Sequence, residues 1–289
     1  MAFTQKLIDV QLNLANGQFQ GGGNTVTVSG LRVSFTGTFV GGQEQGTAEI
    51  SIYGLPLQLM NQMSTVGTQL NLQNKNNVAV LAGDAETGMS VVFEGTIFSA
   101  FVDAQAMPDV AFRIYAKPGL YHAVVPATPI SVRGSANAAD LMKDIAGKMG
   151  LSFENAGVTA KLANPYFAGT LWTQAQKIAR HSGFDWTVDR GTLAIVQPGK
   201  ARSADPVLIS PETGMVSYPA FNQSGIIVAV LFNPNVKHYG KIEVRSDLTP
   251  ACGIWTVRRV TLELESMVPN GRWFMILDAI PANAPAGTP

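Results

Sequence analysis

Charge is what this chain has least of. Only 14% of its 289 residues are Asp, Glu, Lys or Arg, against roughly 25% in an ordinary soluble protein. Twenty Lys and Arg balance 20 Asp and Glu, so the formal net charge is zero. That excludes a charge-driven attraction to nucleic acid or anionic lipid, since both need a basic surplus. Cysteine occurs once, at Cys252, which excludes an intramolecular disulfide. The longest wholly apolar run, residues 226–232, is far short of the ~20 residues that cross a bilayer, so no membrane insertion is expected. Residues 1–6 lack the charged and apolar regions of a secretory signal, and assembly in cytoplasm is the expectation.

The chemistry-bearing motifs are also missing. His122, His181 and His238 stand alone, with no Cys, Asp or second His at metal-ligand spacing. Gly21-Gly22-Gly23 lacks the Lys-Ser/Thr that would hold phosphate and Mg²⁺. Gly41-Gly42-Gln43-Glu44-Gln45-Gly46 lacks the dinucleotide spacing, and there is no Gly-x-Ser-x-Gly elbow. Glu263 and Glu265 share a strand face, as a carboxylate pair for glycan cleavage would. Opposite Leu262 and Leu264, they read more simply as a solvated face. Asp185 and Asp189, flanking Trp186, read as turn or capping residues. The expectation is a protein with no cofactor and no catalysis.

What is present is β-patterning around one helical segment. Residues 131–197 contain the long helical signals. Ser135 stands where an N-cap should be. Ala138, Leu141, Met142, Ile145, Ala146 and Met149 form a stripe at a 3.6-residue period, and Gly150 is its stop. After Asn164-Pro165, Thr170 reads as a second N-cap. Leu171, Trp172, Ala175, Ile178 and Ala179 form the second stripe, and Gly183 ends it. Trp186 and Val188 then alternate, Arg190-Gly191 turn the chain, and Leu193 and Ile195 alternate back. The segment predicts helix, helix, hairpin.

The flanks predict short strands at regular spacing, hence a barrel or sandwich. Val26 and Val28 alternate, the phase slips at Ser29-Gly30, and Leu31, Val33, Phe35 and Phe39 resume on the other parity. Ala48, Ile50 and Ile52 alternate before Gly54-Leu55-Pro56, after which Leu57, Met60 and Met63 predict a helical turn or two. Further strands are predicted at 70–72, 78–81, 91–102 and 110–116, and after the insertion at 207–210, 215–218, 225–232, 241–245, 254–266 and 273–279. In 91–102 both parities are apolar, with Phe98 and Phe101 on opposite ones. Such a strand is covered on both sides, in the monomer or by a partner. Trp255 and Trp273, in the last two strands, belong either to the core or to an interface. Low charge density and zero net charge suit an obligate oligomer better than a monomer.

The fold class is therefore mainly β with an α/β insertion. The domains read as 1–130 and 201–280, two β domains, with 131–200 between them and a mobile tail at 281–289. The β domains could be alike in structure without detectable likeness in sequence.

In order and spacing, several stretches resemble one family. Ile50-Ser51-Ile52-Tyr53-Gly54-Leu55-Pro56 resembles the strand-to-helix joint in the first β domain of phage baseplate hub proteins, of the Mu-like or late-control-D-like kind. Residues 135–195 resemble their α/β insertion. Ser210-Pro211-Glu212-Thr213-Gly214-Met215-Val216-Ser217-Tyr218-Pro219, followed by residues 225–234, resembles the re-entry into their second β domain. Gly253-Ile254-Trp255-Thr256-Val257 through Val268-Pro269-Asn270-Gly271-Arg272-Trp273 is similar to their last hairpin. The resemblance implies two tail-tube-like β domains in each chain and a homotrimer of pseudo-sixfold symmetry in the virion tail baseplate. It implies a six-fold tail tube protein above, a three-fold central spike protein below, and other baseplate proteins against the α/β insertion. DNA is met only in transit. Interface candidates on this reading are Trp255, Trp273, Phe98 and Phe101. Two other readings are a carbohydrate- or receptor-binding β module of the tail tip and a cell-wall hydrolase component.

Overall fold

The computed structural model of the protein describes residues 4–41, 44–65, 75–203 and 205–282. The chain forms two compact units. The first comprises Met1–Thr38, Gly46–Tyr121 and Leu262–Trp273, and the second Phe39–Gln45, His122–Thr261 and Phe274–Pro289. The architecture is mainly β, as the alternating patterns predict.

The first unit is built on an antiparallel sheet. Its strands are β1 (Lys6–Asn13), β2 (Thr25–Val28), β3 (Arg32–Val40), β4 (Thr47–Tyr53), β5 (Asn77–Asp84), β6 (Gly88–Asp103) and β7 (Ala111–Lys117), in the spatial order β2-β1-β5-β6-β7-β4-β3. Alternation sets which residues point inward: on β3, Val33, Phe35 and Phe39 are buried and their neighbours are not. The sheet is strongly curled. Phe35 on β3 and Phe93 on β6 lie three strand positions apart, about 14 Å in a flat sheet, yet their ring centroids are 6.1 Å apart. Two glycines make room for these rings. A Cβ on Gly37 would lie 2.6 Å from the Phe35 ring, and one on Gly95 would lie 2.7 Å from that of Phe93. Helix α1 (Leu57–Met63) follows Pro56 as expected and buries Met60 and Met63.

Strand β6 qualifies the two-sided pattern of 91–102. Its register slips opposite Val80/Leu81 of β5 and again between Ile97 and Ser99 against β7. Each slip is a bulge that reverses parity. Val92 and Phe98 are the extra residues, so part of the two-sided pattern is one inward row read across two slips.

The chain passes from the first unit into the long stretch of the second within α2 (Leu120–Val124), which no sequence signal marked. The α/β part follows: β8 (Pro126–Ser131), β9 (Ser135–Asn137), α3 (Ala138–Met149), β10 (Ser152–Ala156), β11 (Lys161–Ala163), β12 (Tyr166–Thr170), α4 (Leu171–Ser182), β13 (Asp185–Asp189) and β14 (Thr192–Val196). Strand β10 runs parallel to β14, which pairs antiparallel with β13; β8 pairs with β12, and β9 with β11. Both helix stops are as read: Gly150 and Gly183 are left-handed, at φ 75° and 66°. Thr170 caps α4, its hydroxyl accepting from Thr173 N at 3.1 Å. The cap of α3 is Asn137 rather than Ser135, with Oδ1 accepting from Ala139 N at 3.0 Å. Residues 135–137 are engaged as a strand with β11, so the helix cannot begin before them. A single core fills this part, from Ile130 to Ile195, with Met142, Ile145, Ala175 and Ile178 fully buried. Trp172 and Trp186 lie at its centre, 4.7 Å between ring centroids.

The rest of the unit is β again: β15 (Val207–Ile209), β16 (Ala220–Phe221), β17 (Ile226–Leu231), β18 (Lys241–Val244), β19 (Gly253–Ser266) and β20 (Trp273–Pro281), the last two crossing into the first unit. Strand β17 lies between β16 and β20, and β18 pairs parallel with β15 and antiparallel with β19. Residues 215–218, expected as a strand, make only a bridge from Met215 to Val230. The predicted strand at 70–72 and all but the start of the predicted tail lie outside the described residues.

Candidate functional site

Two features stand out: a buried ionic joint in the second unit, and apolar side chains left on outward strand faces.

The joint forms where the β13–β14 hairpin and β10 meet residues 234–239. Arg202 is its centre, with a side chain only 3% exposed. It donates to Glu154 Oε2 at 2.9 Å, to Asp189 Oδ2 at 2.7 Å and to the His238 carbonyl at 3.3 Å. Burial alone would lower its pKa; Glu154 and Asp189 outweigh that and raise it. Arg190, at the hairpin turn, donates to the carbonyls of Pro234 at 2.6 Å and Val236 at 2.7 Å. Arg258 donates to Asp185 Oδ2 at 2.9 Å and lies over the Tyr239 ring.

His238 sits inside this cluster, with Nε2 2.6 Å from the Arg258 carbonyl. A carbonyl can only accept, so Nε2 carries the proton. Among the described residues, Nδ1 has no hydrogen-bond partner. Burial lowers the imidazole pKa to about 4 and raises that of Tyr239. Each carboxylate here is matched by an arginine, which suits a clamp rather than an acid–base site. Beside it, a cleft of about 210 Å³ is lined by Tyr239, Arg258, Arg259, Glu44 and Asp278, charges of both signs.

Asp185 and Asp189 thus hold ion pairs beyond any turn role. Arg202, which reads in sequence as part of a hydrophilic link, was missed. Its partners lie 13 and 48 residues away, and no local pattern marks such a pairing.

Of the four interface candidates, the fold brings two together. Phe98, in the β6 bulge, and Phe101, 41% exposed, flank Tyr115 of β7 at centroid distances of 6.2 and 6.1 Å. Lys117 lies over Phe98. Arg113 borders the group, bound to Asp103 at 2.6 Å and Glu49 at 2.9 Å. Trp255, in the second unit, is half-buried, its indole N–H donating to the Ala251 carbonyl at 2.9 Å. Trp273, in the first, is buried at 8% exposure.

The sequence reading did not single out a further apolar row, on β17. There Ile227 and Leu231 point outward, 37% and 36% exposed, opposite Asp278 and Phe274 of β20. Residues 226–232 read as a wholly apolar run, so the outer positions of β17 are as apolar as its inner ones and no alternation marks them.

Glu263 and Glu265 are both held by Arg272, at 3.1 and 3.2 Å. The Arg272 backbone N–H and then its guanidinium keep Glu265 below the ordinary carboxylate range. A general acid needs the opposite shift.

The profile of the baseplate hub gp41 family matches residues 7–274. Among curated proteins, no sequence relative was found. Solved structures share the fold at low identity. A tail protein from Neisseria meningitidis MC58 superposes with a TM-score of 0.62 at 11% identity, over 94% of this chain and 96% of that one. The 43 kDa tail protein of prophage MuSo2 from Shewanella oneidensis gives 0.61 at 8%, over 98% and 99%. An Escherichia coli component of the type VI secretion system, itself described as similar to the T4 tail proteins gp27 and gp5, gives 0.59 at 11%, over 93% and 76%.

Proposed function

The chain belongs to the baseplate hub gp41 family, a structural component of phage tails, and from that premise we propose that it works as a homotrimeric ring. Each chain supplies two tube-like β domains, 1–130 and 201–280, so three chains present six similar lobes to a six-fold tail tube and a three-fold face to a central spike. Closed rings arise when one surface patch meets a different patch on the next copy. The α/β domain, 131–200, stands outside the ring and meets other baseplate proteins, and the tail at 281–289 orders on a partner. DNA passes through without being held, which zero net charge favours. The place of work is the virion tail, after assembly in the host cytoplasm. No catalysis and no cofactor enter this mechanism.

The observation that carries the reading is the outward Phe98–Phe101–Tyr115 group, an aromatic cluster with an ionic border on the outer face of the sheet. Aromatic centres with polar rims are the ordinary anatomy of protein interfaces. The self-contained core from Ile130 to Ile195 supports a separate α/β domain.

The first test is native mass across a dilution series, by light scattering or native mass spectrometry. A stable trimer is expected, weakened by the Phe98→Ser/Phe101→Ser double substitution. A monomer at every concentration, even with tube and spike proteins added, would sink the ring.

A further inference from the structure

Zero net charge hides a segregation of charge. Residues 126–200 carry eight Lys and Arg against five Asp and Glu. Three of those acids, Glu154, Asp185 and Asp189, are held by Arg202 and Arg258, which lie outside the segment. A fourth, Asp144, pairs with Lys148 across one turn of α3 at 2.7 Å. The clamp therefore ties up three of the five acids, and with Asp144 paired, Asp140 is the one acid of the five outside an ion pair among the described residues, against a larger number of exposed cations.

The surplus is clearest on α4. Leu171–Ser182 contains no acidic residue, and its exposed positions are Lys177, Arg180 and His181. Lys177 Nζ donates to the Ala168 carbonyl at 2.9 Å, and the His181 ring stands edge-on to Phe167 with centroids 5.6 Å apart. The Lys177 contact fixes the ammonium in place without cancelling its charge. The helix dipole favours cations in the last turn, which accounts for Arg180 and His181 locally. It does not account for Lys177 or for the lack of any acid within the helix.

We infer that the outer face of α4, with Lys177 and Arg180, is a docking surface for an Asp/Glu-rich segment of another baseplate protein. The inference rests on the reading of the α/β part as the contact to neighbouring proteins, and gives that contact its chemistry. Complementary charge steers and registers a protein partner through a small patch. A nucleic acid needs a longer row of cations and a chain with a basic surplus, and this chain has neither.

The test is a fluorescence-anisotropy titration of the full chain with a fluorescein-labelled oligoglutamate peptide at low salt. Saturable binding is expected, about tenfold or more weaker in Lys177→Glu/Arg180→Glu. It should be unchanged in Lys237→Glu/Arg259→Glu, which reverses two exposed cations elsewhere, and abolished at about 0.5 M salt. Equal binding by the Lys177→Glu/Arg180→Glu variant, or tighter binding of a single-stranded oligonucleotide of matched charge, would overturn the inference. Native mass is measured on the same samples. Loss of peptide binding from an intact trimer of the variant supports the inference. No peptide binding by an intact trimer of the unsubstituted chain overturns it and leaves the ring standing.

Discussion

The α/β part and the sheet of the first unit spend their apolar residues differently. From residue 126 to 200, the only exposed large apolar side chain is Tyr166; everything else of that kind turns into one core. On β6 alone, Val91, Phe101 and Val102 stay exposed. A helix has one apolar stripe, and two helices on a small sheet seal it. A strand has two faces, and a curled sheet seals only the inner one. The difference teaches that the first region is complete in itself, while the second has an outer face suited to a partner.

The comparison breaks most completely at the clamp. Arg202→Met takes from the buried Asp189 its 2.7 Å partner and leaves only the Arg190 guanidinium, at 3.4 Å, a loss expected at the lower end of the about 3–5 kcal/mol that breaking a buried pair costs. Urea unfolding should show that loss in the second unit. Arg202→Met/Asp189→Asn, which removes both charges, should recover part of it.

Next comes a paired test of closed against open. Trp172→Ala empties the centre of the sealed core and should cost about 3–5 kcal/mol. Phe101→Ser removes an aromatic of similar class from the outer face and should change monomer stability by about 0.5 kcal/mol or less. Its effect should appear in association instead. Equal losses of monomer stability would erase the distinction.

Acid should act on the clamp before it acts on the sheet. His238 is held at about 4, against an ordinary 6.5. Between those values the unfolded chain binds a proton that the folded chain refuses, so stability is full above about 6.5 and falls as pH drops toward 4. The loss is at most about 3 kcal/mol. Asp189, Arg202 and Arg258 face the ring, so the slope reports the whole cluster. Urea midpoints at stepped pH should show it, and His238→Asn should flatten it.

The smallest expected effect sharpens the reading of α3. Asn137→Ala should cost about 1 kcal/mol, whereas Ser135→Ala should change thermal stability little. The reverse result would move the helix start back to Ser135.

Much of this fold is legible in the chain. The stripes on α3 and α4, the stops at Gly150 and Gly183, the Thr170 cap and the Arg190-Gly191 turn all rest on contacts within a few residues, and each lies where its pattern places it. Most strands were legible by alternation for the same reason. The bulges at Val92 and Phe98 were not, because a bulge is a mismatch with a neighbouring strand and needs that strand to exist. The Asn137 cap was hidden by the pairing of β9 with β11.

The sequence by itself determined the class of the fold, the place of the two long helices, the depletion of charge and the absence of catalytic motifs, since these depend on composition and short-range periodicity. Tertiary structure alone decided that Arg202 meets Glu154 and Asp189, that His238 is buried among them, that Phe98 joins Phe101 and Tyr115, and that Arg272 binds Glu263 and Glu265 together. Electrostatic and aromatic contacts carry no period along the chain. They form wherever folding brings distant residues within reach and removes the water between them.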